Sequence, residues 1–339
     1  MYVVRPVEAR DVPLLEALAT ASTPGVHTLP RTRKTIERAV ERSLASFSAA
    51  PEMPSEEAYF FVMEGPDETI AGTAAISATA GATGTFFAFR HDVLSQVSRD
   101  LNISHHVDAL SLCSDLTSYS QLSGFHLCDR RAVGGAALLS RARLLFAAVA
   151  PQRFSDKFFA SMSGMTDTNG RSPFWEALGR KFFGMDFLEA ERMIEGARNR
   201  TLIVELMPHY PVYVPLLPNE AQAALGQVHA EAELPFRILS AEGFEPDKYV
   251  DIFDGGPVLR AHRNALRSFS ASTLRRAYAG DADNAGAETW MIATAREENF
   301  RALLVQCRIV ELSGEIILPQ AVLRKLELSE GEFVLCVKS

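Results

Sequence analysis

The stretch Phe125–Phe146, FHLCDRRAVGGAALLSRARLLF, runs from an apolar strand-like segment through two arginines and two glycines into an apolar helix. Its turn, Arg131-Ala132-Val133-Gly134-Gly135-Ala136, stands where a strand hands over to a helix. A helix N-terminus carries free backbone N–H groups and the positive end of the helix dipole. Glycines let those groups approach an anion, and a flanking arginine adds a charged donor fork. Together these suit a pyrophosphate. A plain helix start on a tight turn uses the same small residues, so the stretch alone leaves both readings open.

Its surroundings favour the anion. The helix continues to about Val149, with Leu138, Ala142, Leu145 and Val149 on one stripe. SGFHL before it and DKFFASMSG after it read as strands. SPFWEALGRKFF (Ser172–Phe183) reads as one helix with Ser172 as N-cap and Pro173 at the first helical position. The loop lacks the G-K-[ST] ending of a P-loop and is not G-x-G-x-x-G. An R-x-x-G-x-A/G element opening a helix resembles the coenzyme A pyrophosphate loop of the GCN5-related N-acetyltransferase-like fold. That resemblance implies a mixed α+β sheet flanked by helices. Two parallel strands would splay apart around the thioester, with the pantetheine arm along the strand at Phe125.

Further out, YVVRPV is a strand candidate, the segment after it an amphipathic helix, and Arg31–Phe47 a second one. AYFFVME and TIAGTAAISATAG read as a hairpin, and VDALSLCSDL as another strand. A helix spans NEAQAALGQVHAEAELPFRILSAEG, with Pro235 expected to break or kink it. KYVDIFDGGP is a strand ending in a turn, and RRAYAGDADNAGAE a loop. The tail reads as a small β-rich region around the helix LPQAVLRKLEL. The expected organisation is an acyl-CoA-binding domain over 1–200 and a second α+β region over 201–339, within a chain of 339 residues.

A formal charge of −8 argues against a protein that grips nucleic-acid phosphates. The four cysteines form no C-x-x-C pair and read as free thiols in a reducing compartment. The charged N-terminus lacks an apolar leader, and no run of about 18 uncharged apolar residues reads as a membrane span. A cytoplasmic protein is expected. The histidines and cysteines make no ligand cluster, so neither a metal nor a tightly bound cofactor is expected.

His229, in GQVH, is the candidate proton carrier near neutral pH. A lone histidine on a helix is also an ordinary surface or core residue. Asp251 and Asp254, beside the Gly-Gly turn of YVDIFDGGP, are candidates to hold a cationic substrate group, or are simply turn residues. His126 lies in the strand before the loop, where packing accounts for it.

Several stretches, taken in order, resemble the arginine N-succinyltransferase family: VVRPVEARDVPLLEALA, HTLP, TNGRSPFWEALGRKFF, VELMPHYPVYVPLLP, GQVH and YVDIFDGGP. The likeness covers essentially the whole chain. It extends to single-chain enzymes and to paired α and β subunits acting on arginine and ornithine. It implies succinyl-CoA as co-substrate and the α-amine of L-arginine, or L-ornithine, as acceptor. It implies His229 as proton donor and Phe125 as a donor-strand contact. It also implies a homo-oligomer or a hetero-oligomer with a paralogous subunit, and no membrane partner. Ala136 stands where glycine is common in the family, and Phe125 where leucine is. Another amino-acid acyltransferase, or a non-catalytic acyl-CoA-binding subunit, would share these features.

Overall fold

The computed structural model describes residues 1–20, 32–67, 69–82, 84–128, 130–190, 192, 205–280, 288–310 and 314–339. The HTLP segment, residues 281–287 and the side chain of Arg131 lie outside the described residues. The strands of the first half are β1 (Val3–Pro6), β2 (Ala58–Glu64), β3 (Ile70–Ser77), β4 (Ala88–Ser98), β5 (Ile103–Cys113), β6 (Ser120–Leu127) and β7 (Lys157–Ser161). Those of the second half are β8 (Val212–Tyr213), β9 (Glu245–Val250), β10 (Pro257–His262), β11 (Thr273–Ala279), β12 (Glu288–Thr294), β13 (Ala302–Val310), β14 (Glu315–Leu318) and β15 (Phe333–Lys338).

They join one mixed sheet in the order β12-β15-β11-β14-β13-β1-β2-β3-β6-β7-β10-β9-β4-β5-β8. Among the described residues the parallel strand pairs are β6–β7 and β11–β14, and the other strand pairs are antiparallel. A mixed α/β architecture with one large sheet is therefore what the sequence builds. β10, from beyond residue 200, pairs with β7 from before it, so the sheet runs through the expected division.

Local rules explain many of the elements. α1 (Val12–Thr20) and α2 (Arg33–Ser48) cover one face of the first strands. Thr32 caps α2 by accepting the Thr35 N–H, so the helix starts slightly later than expected. Ile36, Val40, Ser43 and Phe47 are buried at helical spacing. The Ser43 and Ser46 hydroxyls accept from the Phe60 and Ala58 N–H groups, tying α2 to β2. α3 (Ala136–Val149) packs on β1, β2, β3 and β6 and is almost wholly buried. The helical stretch Ala132–Val149 is apolar enough for a membrane by composition, but 72% of it is buried inside the fold, as befits a core helix. Phe146 there joins Phe47, Tyr59, Phe61, Phe154 and Phe300 in one aromatic cluster.

Phe300 comes from the β-rich C-terminal part, which is not an appendage. β1 lies between β2 and β13. The buried Arg153 donates to Ser46 O, Tyr59 Oη and the Glu297 carboxylate, stapling the two halves together.

Several readings need correction. β4 and β10 were not expected, and β11 takes up part of the segment read as a loop. β4 mixes polar and apolar residues because the distal part of the β4–β5 hairpin is exposed on both faces, so no burial pattern marks it. Arg275–Ala279 becomes a strand because β14 and β15 flank it. The Ser172–Phe183 helix is two short helices, α4 (Pro173–Ala177) and α5 (Gly179–Phe183), meeting at Leu178. Ser172 does cap the first, accepting the Trp175 N–H at 3.2 Å. The long helix around Pro235 is instead Asn219–Ala224, a turn over Ala230–Ala232, and Glu233–Glu242. Pro235 sits in the first turn of the last piece, where its missing N–H costs nothing.

Candidate functional site

β6 and β7 are paired in parallel only at Ser120↔Phe158 and Gln121↔Phe159. Beyond those residues β6 follows β3 and β7 follows β10, so the sheet opens between them. The closed end is pinned by the buried Ser120. Its hydroxyl donates to Ala78 O at 2.7 Å and accepts the Ser155 N–H at 2.9 Å.

A bulge shapes the β6 side of the opening. Thr73 faces His126 and Ala75 faces Ser123, so one extra residue is accommodated on β6. Gly124 takes it up with φ of 62°, a left-handed conformation suited to glycine. The Thr73 hydroxyl donates to Gly124 O at 2.9 Å. Phe125 is half-buried and packs on the main core, as do Val228 and Phe236. β6 and the GQVH turn thus both pack on that core.

Three short segments interlock at the open end of β7. The Met162 N–H donates to Pro257 O at 3.0 Å, and the Gly226 N–H donates to Gly255 O at 2.8 Å. The buried Asp254 carboxylate accepts from the Gly164 N–H at 2.7 Å and the Gly256 N–H at 2.8 Å. Asp251 accepts from the Phe253 N–H at 2.8 Å and the Ser161 hydroxyl at 3.2 Å. A Cβ on Gly256 would lie 2.1 Å from Met162 O, so this Gly is fixed by close approach of two backbones. The Asp251 and Asp254 carboxylates thus bind the protein's own backbone and Ser161, and their geometry builds the wall of the opening.

His229 rides on that wall. Its N–H donates to Ser163 O at 2.8 Å. Rather than lying on a long helix, it caps the turn Ala230–Ala232, its Nδ1 accepting the Glu231 N–H at 3.2 Å. With Nδ1 accepting, the neutral ring carries its proton on Nε2. His229 is therefore arranged as a donor at Nε2. His126 on β6 feels the Glu231 carboxylate of the same turn, which opposes a downward pKa shift caused chiefly by burial. Sequence reasoning gave His126 only a packing role. The signal that could have raised it was its place two residues beyond Gly124 in a donor-strand candidate.

The RRAVGG segment forms a 3₁₀ turn leading into α3, with Gly135 as its N-cap residue. Gly134 is exposed and a Cβ there would meet nothing within 4 Å. A Cβ on Gly135 would lie 2.5 Å from Met63 Sδ, so a side chain there would push the end of Met63 aside. Ala136 is buried, and the Arg131 side chain lies outside the described residues. Phe125, His126, His229 and Glu231 thus gather at the opening, the last two on one turn. Among the described residues no group of three or more His, Cys, Asp or Glu side chains is arranged to hold a metal.

Comparison with known proteins places these features. The family model described as arginine N-succinyltransferase beta subunit matches residues 2–268, and that of its C-terminal domain matches 274–338. The arginine N-succinyltransferase subunit alpha of Pseudomonas aeruginosa is 42% identical, covering 90% of each chain. The arginine N-succinyltransferase of Escherichia coli is 35% identical, covering 100% of this chain and 98% of that protein. The solved structure of arginine/ornithine succinyltransferase subunit AI from Pseudomonas aeruginosa superposes with a TM-score of 0.90 at 37% identity, covering 100% of this chain and 98% of that one.

Proposed function

The chain belongs to the arginine N-succinyltransferase family, and from that premise we propose how its own residues carry out acyl transfer from succinyl-CoA to L-arginine. The observation that carries the reading is the opening between β6 and β7, with His229 held at its rim. Such a gap accepts an extended thioester arm, β6 lending backbone groups around Phe125. This is the splayed sheet of a GCN5-related N-acetyltransferase-like fold. The coenzyme pyrophosphate lies at the start of α3, against Gly134, Gly135 and Ala136, with Arg131 adding charge.

The neutral α-amine attacks the thioester carbonyl, and backbone N–H groups in the gap hold the tetrahedral oxyanion. The C–S bond then breaks, leaving the amide and the coenzyme thiolate. His229 takes up the proton the attacking amine sheds, and the imidazolium so formed gives its Nε2 proton to that thiolate, returning to the neutral ring. Asp251 and Asp254 support this indirectly, by fixing the Ser163 segment on which His229 rests.

The reaction needs no tightly bound cofactor, and a cytoplasmic setting supplies both substrates. A paralogous or identical partner subunit is supported by the alpha and beta names of the relatives. The test is thiol release by the purified chain with succinyl-CoA and arginine, then ornithine. We expect release with arginine. Faster release with ornithine would move the acceptor assignment. No release with either would leave a non-catalytic acyl-CoA-binding subunit.

A further inference from the structure

Arg143 lies in α3, directly beneath the bulge, with 2% of its surface exposed. Its Nη1 donates to Ala75 O at 3.3 Å and to Ser123 O at 3.1 Å. Ala75 and Ser123 are the register partners at which the β3–β6 ladder slips. Nε donates to Ser140 O at 3.0 Å and Nη2 to Ser140 Oγ at 2.9 Å, which fixes the guanidinium on its own helix. Its Cζ stands 5.9 Å from the centre of the Phe125 ring. One buried side chain thus grips β3, β6 and the aromatic residue that follows Gly124.

Burying a charged group is costly, and burial drives the Arg143 pKa down to about 9. The guanidinium remains a cation at neutral pH. A cation retained there, where an apolar side chain would fill the same space, points to a demand for its donors. A bulge supplies that demand, because it disrupts the ladder and leaves carbonyls to be satisfied from outside it. The alternative for β6 is a regular ladder without the extra residue. A one-residue slip past Gly124 would turn Phe125 and every later side chain of the strand to the opposite face. His126 would leave the turn that carries His229 and Glu231, and the pantetheine side of the gap would be lost.

We propose that Arg143 is a positioning residue for acyl transfer: it holds the β6 bulge in register and so aims Phe125 and His126 at the gap. The donor side of this inference rests on the reading given under Proposed function. Arg143 touches no reacting atom. It acts through the strand that does.

The test compares Arg143→Met, Arg143→Lys and, as a control on the same helix, Arg141→Met. Arg141 pairs with the buried Glu242 at 2.8 Å, away from the bulge, so its loss weakens the fold without touching β6. Hydrogen exchange of residues 120–128, calorimetric affinity for coenzyme A and steady-state kinetics are measured on each folded variant. Arg143→Met takes the donor from two part-buried carbonyls, so exchange in 120–128 and the donor KM should each rise about tenfold, with the arginine KM nearly unchanged. Arg143→Lys, which keeps charge and donors, should recover most of both, and Arg141→Met should change neither. Unchanged exchange and coenzyme affinity in Arg143→Met, or equal changes in Arg141→Met, would overturn the proposal. If the wild-type chain binds coenzyme A but forms no succinyl product, the reaction assignment falls, and Arg143 is still judged on affinity and exchange.

Discussion

His229 has two jobs that one pair of substitutions separates. Its Nδ1 caps a turn by accepting the Glu231 N–H, and its Nε2 is the proposed proton donor. His229→Ala removes both. The lost cap is worth about 1 kcal/mol, or a melting temperature lower by about 2–4 °C for a domain of this size. His229→Asn keeps an acceptor at the cap but carries no proton to give, so its melting temperature should stay at the wild-type value. The backbone N–H to Ser163 O survives in both variants, so the wall of the opening stays in place. Loss of general-acid help should lower kcat about 100-fold or more, which is about 2.7 kcal/mol of transition-state stabilisation. The assay is thiol release under saturating arginine, paired with thermal melting of each variant. The expected pattern is equal kinetic damage in Ala and Asn and a stability loss in Ala alone. Turnover of His229→Asn within about threefold of wild type would refute the proton role and leave His229 as a cap. Damage in Ala that Asn repairs would show that the turn, not the proton, matters.

Three other predictions address the opening stretch and its neighbour strand. Gly134→Ala meets no atoms and should melt like wild type, so a raised donor KM in that variant would be a direct sign of coenzyme phosphate at the turn, and an unchanged KM would return the turn to a plain helix start. Gly135→Ala crowds Met63 and Tyr2 and should cost about 1–3 kcal/mol in denaturant unfolding whatever the turn binds. His126 is held below its ordinary 6.5 by burial, so the unfolded chain takes up its proton first on acidification. Its contribution is complete above pH 6.5 and is lost as pH falls through the lower folded value, so melting temperature should drop on that side. His126→Gln should flatten this fall, and an unchanged pH profile would remove His126 as its source.

What could be read locally was read from residues whose roles are local. Ser172 before Pro173, the buried stripe of α3 and the apolar strands β2, β3 and β6 each follow from capping, periodicity or propensity. The order of quoted motifs pointed to the family and to His229. Pro235 misled because its cost depends on where a helix begins, and only the turn at Ala230–Ala232 settles that. For Asp251 and Asp254 the sequence shows only carboxylates beside Gly-Gly, and the fold adds the Gly164 backbone and Ser161 as their partners.

The sequence by itself determined which segments are strands and helices over much of the chain, that the loop before α3 is small and basic, and which family's motifs it carries. Tertiary structure alone decided the rest of the site. It set the divergence of β6 from β7, the register slip at Gly124, the burial of Arg143 under that slip, and the meeting of GQVH with the end of β7. The physical reason is range. Caps and periodicity act over a few neighbouring residues. A splayed sheet is fixed by hydrogen bonds between strands far apart in the chain, such as Ala75 O and Ser123 O answering to Arg143.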